Sequence, residues 1–183
     1  MYKQTPRLGR GSHPSHTMGL SSKRSVTPPF LRQIVAEQNM QANTIKGALT
    51  ELQCQTDFLT AGILVSQPIV ADSKYDFIVD VNGKLFKVQC KSSTLSNDQT
   101  YISMKTKTTN VRTMKDSFYT KEDIDFFYTY YENKSYLVPV EISGHGETRL
   151  RFSSSQPNNP NIRWAKDYEF SQMLQKLKEE VGN

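Results

Sequence analysis

The stretch Tyr75–Ser92, YDFIVDVNGKLFKVQCKS, decides the fold of the middle of the chain. Apolar and polar residues alternate on both sides of Asn82-Gly83, and such alternation is the pattern of a half-buried β-strand. An Asn-Gly pair between two alternating runs is the strongest local signal for a β-hairpin with a two-residue turn. The stretch therefore predicts two antiparallel strands, over residues 75–81 and 85–92.

A two-residue turn also fixes which side chains lie opposite each other. It pairs Val81 with Lys84, and equal numbers of steps away from the turn place Asp76 opposite Gln89. Opposed residues project from the same face, with Cβ atoms about 4.5–5.5 Å apart. Because side chains alternate along a strand, Lys91 lies on that face too, one diagonal step from Asp76. A three-residue bulged loop would shift this pairing by one and separate the three polar groups.

The two faces of the predicted hairpin differ in polarity. The polar face also carries Ile78 and Leu85, which indicates partial burial, although a solvated sheet face is the alternative. A carboxylate, an amide and an ammonium on a partly covered face suit a hard metal ion and a phosphate. Mg²⁺ prefers oxygen ligands, and a lysine beside it can position an attacking water. The opposite face is apolar and forms a candidate core: Tyr75, Phe77, Val79, Val81, Phe86, Val88 and Cys90.

A helix precedes the hairpin. Asn43 or Thr44 can cap it, and it is expected to run to about Ala61 before Gly62. Its Glu51 shares a face with Gly47, Cys54 and Phe58, so a helix packed across the sheet could aim Glu51 at Asp76. An ordinary exposed glutamate is the alternative. The apolar stripe of this helix is formed by Ile45, Leu49, Leu52 and Leu59.

Further strands are predicted over residues 63–70 and near 100–104. Residues 126–142, FFYTYYENKSYLVPVEI, predict two more strands joined at Glu132–Ser135, with Pro139 at an edge or bulge. A short strand is expected at Arg149–Phe152, and an amphipathic helix from about Asp167 to Val181. The fold class is therefore α+β, with a mixed central β-sheet flanked by helices.

The positive charge of the chain is concentrated at its N-terminus. The 183 residues have a formal net charge of +5. Residues 1–36 contain basic residues and no acid, and they lack a hydrophobic period. We expect a disordered basic arm over residues 1–38 and a folded domain over 39–183. The arm could bind phosphates, act as an organelle transit peptide, or be sequence upstream of the natural start.

Composition also excludes several classes of protein. There is no apolar stretch long enough to span a membrane, and no secretory signal is evident. Cys54 and Cys90 form no CxxC pair, so a cysteine-rich zinc site is excluded and two reduced, buried thiols are expected. These features predict an intracellular protein, in the cytoplasm or nucleoid, or in an organelle if the arm is a transit peptide.

The residues of the predicted site resemble a known pattern. Asp76 lies thirteen residues before Gln89-Cys90-Lys91 and follows a helix with Lys46-Gly47-xxx-Glu51. The pattern resembles the PD-(D/E)XK nuclease superfamily, with Gln in the (D/E) position. More specifically, the chain resembles the group I intron-associated endonucleases, over roughly residues 44–168. The segments that extend the likeness are Tyr119–Phe127, Tyr136–Glu141, Leu150–Phe152 and Ile162–Glu169.

This resemblance implies a restriction-endonuclease-like core with a four-stranded mixed sheet, and metal-dependent hydrolysis of DNA phosphodiesters. It makes Glu51 the helix acid near the metal and Asp76 the central ligand. It places the side-chain oxygen of Gln89 toward metal or water, allows the Cys90 carbonyl as a further ligand, and makes Lys91 the motif lysine. Tyr75 stands where the signature has Pro, and the neutral Gln89 leaves the site one charge short of a pair of acids. The implied cofactor is Mg²⁺, with Mn²⁺ as a possible substitute.

Two basic segments are candidates for DNA contact. Residues 104–115, MKTKTTNVRTMK, are expected to form a mobile loop without acids that follows the DNA backbone. A second basic set lies near the C-terminal third. The predicted DNA-binding residues are Lys105, Lys107, Arg112, Lys115, Arg149 and Arg151.

The sequence thus predicts a Mg²⁺-dependent endonuclease acting on double-stranded DNA, of the homing type. Each chain shows one site, so cutting both strands favours a homo-oligomer, a dimer or a tetramer. One alternative is a structure-selective nuclease similar to Holliday-junction resolvases. Another is a catalytically inactive DNA-binding module of the same fold.

Overall fold

The computed structural model describes residues 29–70, 72–109, 113, 115–144 and 146–182. Most of the predicted basic arm, residues 1–28, lies outside the described residues, as does the predicted DNA-binding residue Arg112. Among the described residues, no helix is both long enough and apolar enough to cross a bilayer.

The first helix, α1 (Pro29–Thr60), is 32 residues long and begins well before the expected cap at Asn43. Residues 29–38, assigned from the sequence to the disordered arm, are therefore helical. Proline is favoured in the first helical turn, and the Gln, Glu, Ala and Met residues that follow are good helix formers. The helix ends as expected before Gly62, whose φ is +76°.

The orientation of α1 differs from the one its apolar stripe indicates. The helix packs on the sheet through Thr50, Cys54 and Phe58, which are buried. The predicted stripe lies on the other side and is exposed to solvent. The helix has apolar residues on two faces, and the face that packs on the sheet is the one with Cys54 and Phe58.

The described residues form ten strands, and the seven expected strands are among them. In chain order they are β1 (Leu64–Ser66), β2 (Phe77–Val81), β3 (Lys84–Cys90), β4 (Ser93–Leu95), β5 (Tyr101–Lys105), β6 (Lys107–Thr109), β7 (Asp116–Phe118), β8 (Phe126–Tyr131), β9 (Lys134–Pro139) and β10 (Glu147–Arg151). The additional strands are β4, β6 and β7. A single 3-10 turn (Val140–Ile142) follows β9. A second (Ala165–Tyr168) leads into the final helix, α2 (Phe170–Gly182).

The central sheet is mixed and has five strands in the order β1-β2-β3-β8-β9, one more than the resemblance implied. Only β3 and β8 are parallel, and β9 is an edge strand, as Pro139 predicts. The β2–β3 hairpin has the predicted register, with Val81 paired to Lys84. Asn82 and Gly83 have φ of 53° and 85°, as a turn with two left-handed residues requires.

A smaller sheet, with the order β10-β5-β4, packs on one face of the central sheet. The expected loop over residues 104–115 is only partly a loop, because β5 extends to Lys105 and β6 pairs with β7 as a hairpin. Thr108 and Thr109 in β6 and Phe118 in β7 favour extended backbone, and an ion pair between Lys107 and Asp116 at 2.6 Å joins the two strands.

Two hydrophobic clusters cover the two faces of the central sheet. The helices α1 and α2 cover one face, and the small sheet covers the other. The predicted apolar face of the hairpin lies under the helices, except that Tyr75 packs into the other cluster. Leu85, near the turn, is 63% exposed, so the polar face is covered only at its far end, where Gln89 is buried.

Candidate active site

Asp76 lies immediately before β2, where the chain enters the sheet. Its backbone N–H donates to the carbonyl of Val88, the ladder partner of Phe77, at 2.9 Å. Its carboxylate oxygen Oδ2 accepts two hydrogen bonds, from Gln89 Nε2 at 2.5 Å and from the Cys90 N–H at 2.6 Å. The predicted juxtaposition of Asp76 and Gln89 is confirmed.

The side-chain amide of Gln89 has the opposite orientation to the expected one, with its nitrogen, not its oxygen, toward the other ligands of the predicted site. Its Nε2 donates to Asp76 Oδ2 and also to the Cys90 carbonyl at 3.2 Å, so the amino end of the amide faces both groups. A carboxylate and a carbonyl can only accept hydrogen bonds, and the donor end of the amide is the end that can bind both. Two of the expected metal ligands therefore converge on one point, which the Gln89 amino group contacts.

Lys91 is held at both its backbone and its side chain. Its N–H donates to the Tyr128 carbonyl of β8 at 2.9 Å. Its Nζ donates to Tyr119 Oη at 3.1 Å and lies 5.0 Å from the centre of the Tyr119 ring. That ring packs edge-on against Phe127, with the centroids 5.3 Å apart. Sequence reasoning quoted Tyr119 only as part of a family segment and gave it no place in the site.

Glu51 of α1 approaches the same place. Burial raises the pKa of Glu51, and the negative charge of Asp76 raises it further. Burial also raises the pKa of Asp76, against the opposing effects of the Cys90 N–H, the Lys91 charge and the Gln89 amide. Two partly buried carboxylates that repel each other form a site that a cation would stabilise.

The donor set fits a hard divalent cation. Asp76 and Glu51 offer carboxylate oxygens, Cys90 offers its carbonyl, and Gln89 can offer Oε1 if its amide turns over. Burial raises the pKa of the Cys90 thiol well above its usual value, and the neighbouring thiol of Cys54 adds to this. In the described part of the chain, no three His, Cys, Asp or Glu side chains form a metal-binding group. Since the described residues bring only two carboxylates to the site, the remaining protein ligands to a metal ion would be an amide oxygen and a backbone carbonyl.

A cleft of about 530 Å³ opens beside Lys91. Two predicted DNA-binding residues, Lys105 and Lys107, line it together with Asn43 of α1 and Glu147 of β10. The cleft thus lies between α1 and the small sheet, with Lys91 in its wall. Lys115, the residue before β7, is also exposed.

Arg149 and Arg151 lie side by side on one face of β10. Their guanidinium carbons are 5.1 and 5.0 Å from the centre of the Tyr101 ring on the neighbouring strand. Arg149 also forms an ion pair with Glu147 at 2.9 Å, and Glu147 raises the pKa of Arg149. Lys105 lies opposite Glu147 in the same sheet. The solvent-facing side of the small sheet is therefore basic.

Comparison with known proteins gives the following findings. The family profile described as PD-(D/E)XK endonuclease matches residues 41–171. Among solved structures, the chain is similar to the bacterial homing endonuclease I-Ssp6803I, with 27% sequence identity and a TM-score of 0.62. This similarity covers 75% of this chain and 95% of that chain. The search of curated proteins gives no match. The residues matched by the family profile include every group of the site described above.

Proposed function

Because the chain belongs to the PD-(D/E)XK endonuclease family, we propose that it hydrolyses phosphodiester bonds in double-stranded DNA with Mg²⁺ as cofactor. Nucleases of this family typically use divalent metal ions. The observation that carries the proposal is the convergence of Asp76 Oδ2 and the Cys90 carbonyl on the Gln89 amino group, beside the ammonium of Lys91. Glu51 adds a second carboxylate to the same place.

In this proposal Asp76, Glu51 and the Cys90 carbonyl would hold the metal ion, and Gln89 would offer Oε1 with its amide in the reversed orientation. A bound divalent cation supplies Lewis-acid stabilisation of the charge that develops on the phosphate and lowers the pKa of a bound water. Mn²⁺ is the expected substitute because it accepts the same carboxylate, carbonyl and water ligands.

Lys91 has the role of orienting the attacking water and the scissile phosphate. An ammonium has three donors and no acceptor, so while one donor is held by Tyr119 Oη the others remain available to oxygen atoms in the cleft. Tyr119 in turn is fixed by its edge-on contact with Phe127. This chain of contacts restricts the direction in which Lys91 points, which favours a geometry close to that of in-line attack.

The DNA backbone is assigned to the basic surface next to the cleft. Exposed lysines and arginines bind phosphates with release of counterions, without reading the sequence. Lys105 and Lys107 line the cleft itself, and Arg149 and Arg151 extend the positive surface along β10. We assign Lys115 and Arg112 to the same surface from the sequence alone, Arg112 being outside the described residues.

The homing type of activity is proposed from the similarity to the bacterial homing endonuclease. One site per chain further favours a homo-oligomer, since two strands must be cut. The catalytic domain is proposed to begin within α1, because Glu51 belongs to this helix. A junction-resolving nuclease and an inactive DNA-binding module of the same fold remain the alternatives that the experiment has to separate.

The test is cleavage of a plasmid library with random inserts, in Mg²⁺, in Mn²⁺ and in EDTA, with the cut ends sequenced. Lys91→Met should lower the cleavage rate by about a hundredfold or more, because it removes a positioned donor from the transition state. Lys84→Met is the matched control, since Lys84 lies on the same strand at the exposed turn. We expect it to cut at the wild-type rate.

A four-way junction and a linear duplex of the same sequence complete the experiment. Preference for the junction would identify a resolvase. Metal-independent binding with no cutting in any arm would identify an inactive module. Equal rates for Lys91→Met and the wild type would contradict the assignment of the site.

A further inference from the structure

The solvent-exposed side of α1, opposite the central sheet, carries several large apolar side chains. The buried residues Thr50, Cys54 and Phe58 all lie on the side that faces the sheet. On the opposite side, five aliphatic residues are between 52% and 59% exposed: Val35, Ile45, Leu49, Leu52 and Leu59. Exposed apolar residues that line up on one face of a helix mark an interaction site more often than a solvent-facing surface.

The spacing of these residues is that of a coiled coil. Together with Gln38, Ala42 and Thr56 they occur at positions 35, 38, 42, 45, 49, 52, 56 and 59, which alternate steps of three and four residues. We call these eight residues the α1 seam. A repeat of 3.5 residues, sustained over more than three heptads, keeps a stripe facing a partner helix along its whole length. None of the eight residues is charged.

We propose that the α1 seam binds the α1 seam of a second copy of this chain. A coiled-coil stripe is complementary to an identical stripe, because the knobs of one helix fit the holes of the other. The N-terminal half of α1 supports this choice of partner. From residue 32 to residue 45 every residue is exposed, and a helix without packing contacts is marginal in water. A second copy supplies those contacts.

The area of the contact is close to that of a small specific interface. From Val35 to Leu59 the seam is about 36 Å long, and a helix with its side chains is about 10 Å wide. Packing two such helices therefore covers about 700 Å² in projection over the two chains. The accessible area of interlocking side chains exceeds its projection, and Ile34 extends the contact. The total approaches the ~1,200 Å² at which specific interfaces begin.

Pairing of the two α1 seams does not depend on nuclease activity. If the proposed function is also correct, the seam would join two chains that each carry one site. Glu51 lies on the side of α1 away from the seam, so that pairing of the helices leaves the site open to DNA.

Sedimentation equilibrium of the full chain tests the proposal. We expect the wild type to be a dimer, or a larger even-numbered assembly, at about 10 μM, and the double variant Leu49→Glu/Leu52→Glu to dissociate with a Kd raised about 100-fold or more. The matched control is Ala36→Glu/Met40→Glu, which places the same two charges at exposed residues of α1 outside the seam. The control should sediment as the wild type does.

A second variant is designed to strengthen the assembly, so its effect cannot be explained by loss of folding. Gln38→Leu replaces a polar seam residue by an apolar one and should lower the Kd by about tenfold. A monomeric wild type at about 100 μM would overturn the proposal. So would an unchanged assembly in the Leu49→Glu/Leu52→Glu variant when its near-ultraviolet circular dichroism shows a native core.

Discussion

The site at the end of the hairpin and the basic face of the small sheet hold their polar groups in opposite ways. In the site, Asp76 and Gln89 are largely removed from water and bind each other and the backbone at 2.5–2.6 Å. On the small sheet, Arg149 is exposed and Arg151 is half-buried; both guanidinium groups lie over the Tyr101 ring, and Arg149 also pairs with Glu147. One region is fixed by internal hydrogen bonds, whereas the other offers charge to solvent.

This difference teaches that the two regions should respond to mutation through different quantities. A buried, hydrogen-bonded group that acts on the reacting phosphate affects the rate of the chemical step. Exposed cations affect affinity, and they do so in a manner that depends on salt. The following predictions separate rate from affinity on this basis.

The largest effect is expected from Asp76→Asn, which should lower the cleavage rate by about a thousandfold or more by removing a charged metal ligand. The same variant should unfold at a higher temperature than the wild type near pH 8 in EDTA. The pKa of Asp76 is raised in the fold, chiefly by burial, so its ionised form destabilises the native state.

The sign of the pH dependence follows from the same shift. Above the raised pKa the wild type carries the full penalty of a buried charge, and below the ordinary pKa of an aspartate the group is protonated in both states. The thermal advantage of Asp76→Asn should therefore shrink as the pH is lowered toward 4. An advantage that grew at low pH would contradict the assigned burial of the charge.

An intermediate effect is expected on the small sheet. The double variant Arg149→Ala/Arg151→Ala should weaken DNA binding by about 10- to 30-fold at moderate salt and reduce the slope of log Kd against log salt by about two. The rate at saturating DNA should be unchanged. The measurement is fluorescence anisotropy across a salt series, together with single-turnover cleavage.

The matched control removes two positive charges elsewhere. Lys121→Ala/Lys134→Ala changes the net charge equally, and both lysines are surface residues paired with glutamates, at 2.5 and 3.0 Å. An equal loss of affinity in this control would mean that total charge, rather than the face of the small sheet, determines binding.

The smallest effect is expected from Tyr119→Phe. The ring contact with Phe127 and the ring beneath Lys91 are kept, and only the hydroxyl acceptor at 3.1 Å is lost. The rate constant should fall about fivefold with an unchanged KM and melting temperature, because a single positioning hydrogen bond is removed. A change in KM alone would show that Tyr119 contacts DNA instead of positioning Lys91.

The hairpin and the convergence of Asp76, Gln89 and Lys91 could be predicted from sequence because they are local. A two-residue turn fixes the register, and the register fixes which side chains meet. The contact of Lys91 with Tyr119 could not be predicted in this way, since it joins residues 28 positions apart and depends on how β8 enters the sheet. The rotation of the Gln89 amide also depends on acceptors that only the folded backbone brings together.

The first helix shows a different limit of sequence reasoning. Its strongest apolar period lies on Ile45, Leu49 and Leu52, yet the sheet binds the face with Thr50 and Cys54. A hydrophobic period identifies an apolar face of a helix, but it does not show whether that face packs on the sheet or remains exposed. The early start of α1 at Pro29 does not follow from the sequence for a related reason: residues 32–45 are exposed, so no pattern of core burial marks that half of the helix.

The parallel pairing of β3 with β8 has a consequence for biosynthesis. The hairpin of β2 and β3 can form as soon as it leaves the ribosome, but the edge of β3 has to wait for a strand that begins 36 residues after β3 ends. Joining strands so distant in the chain is the slow, entropically costly part of folding. Lys91 is anchored to the Tyr128 carbonyl, so its place is set only at that late stage. A nascent chain that lacks β8 would leave this lysine unanchored while the acid and the amide already meet.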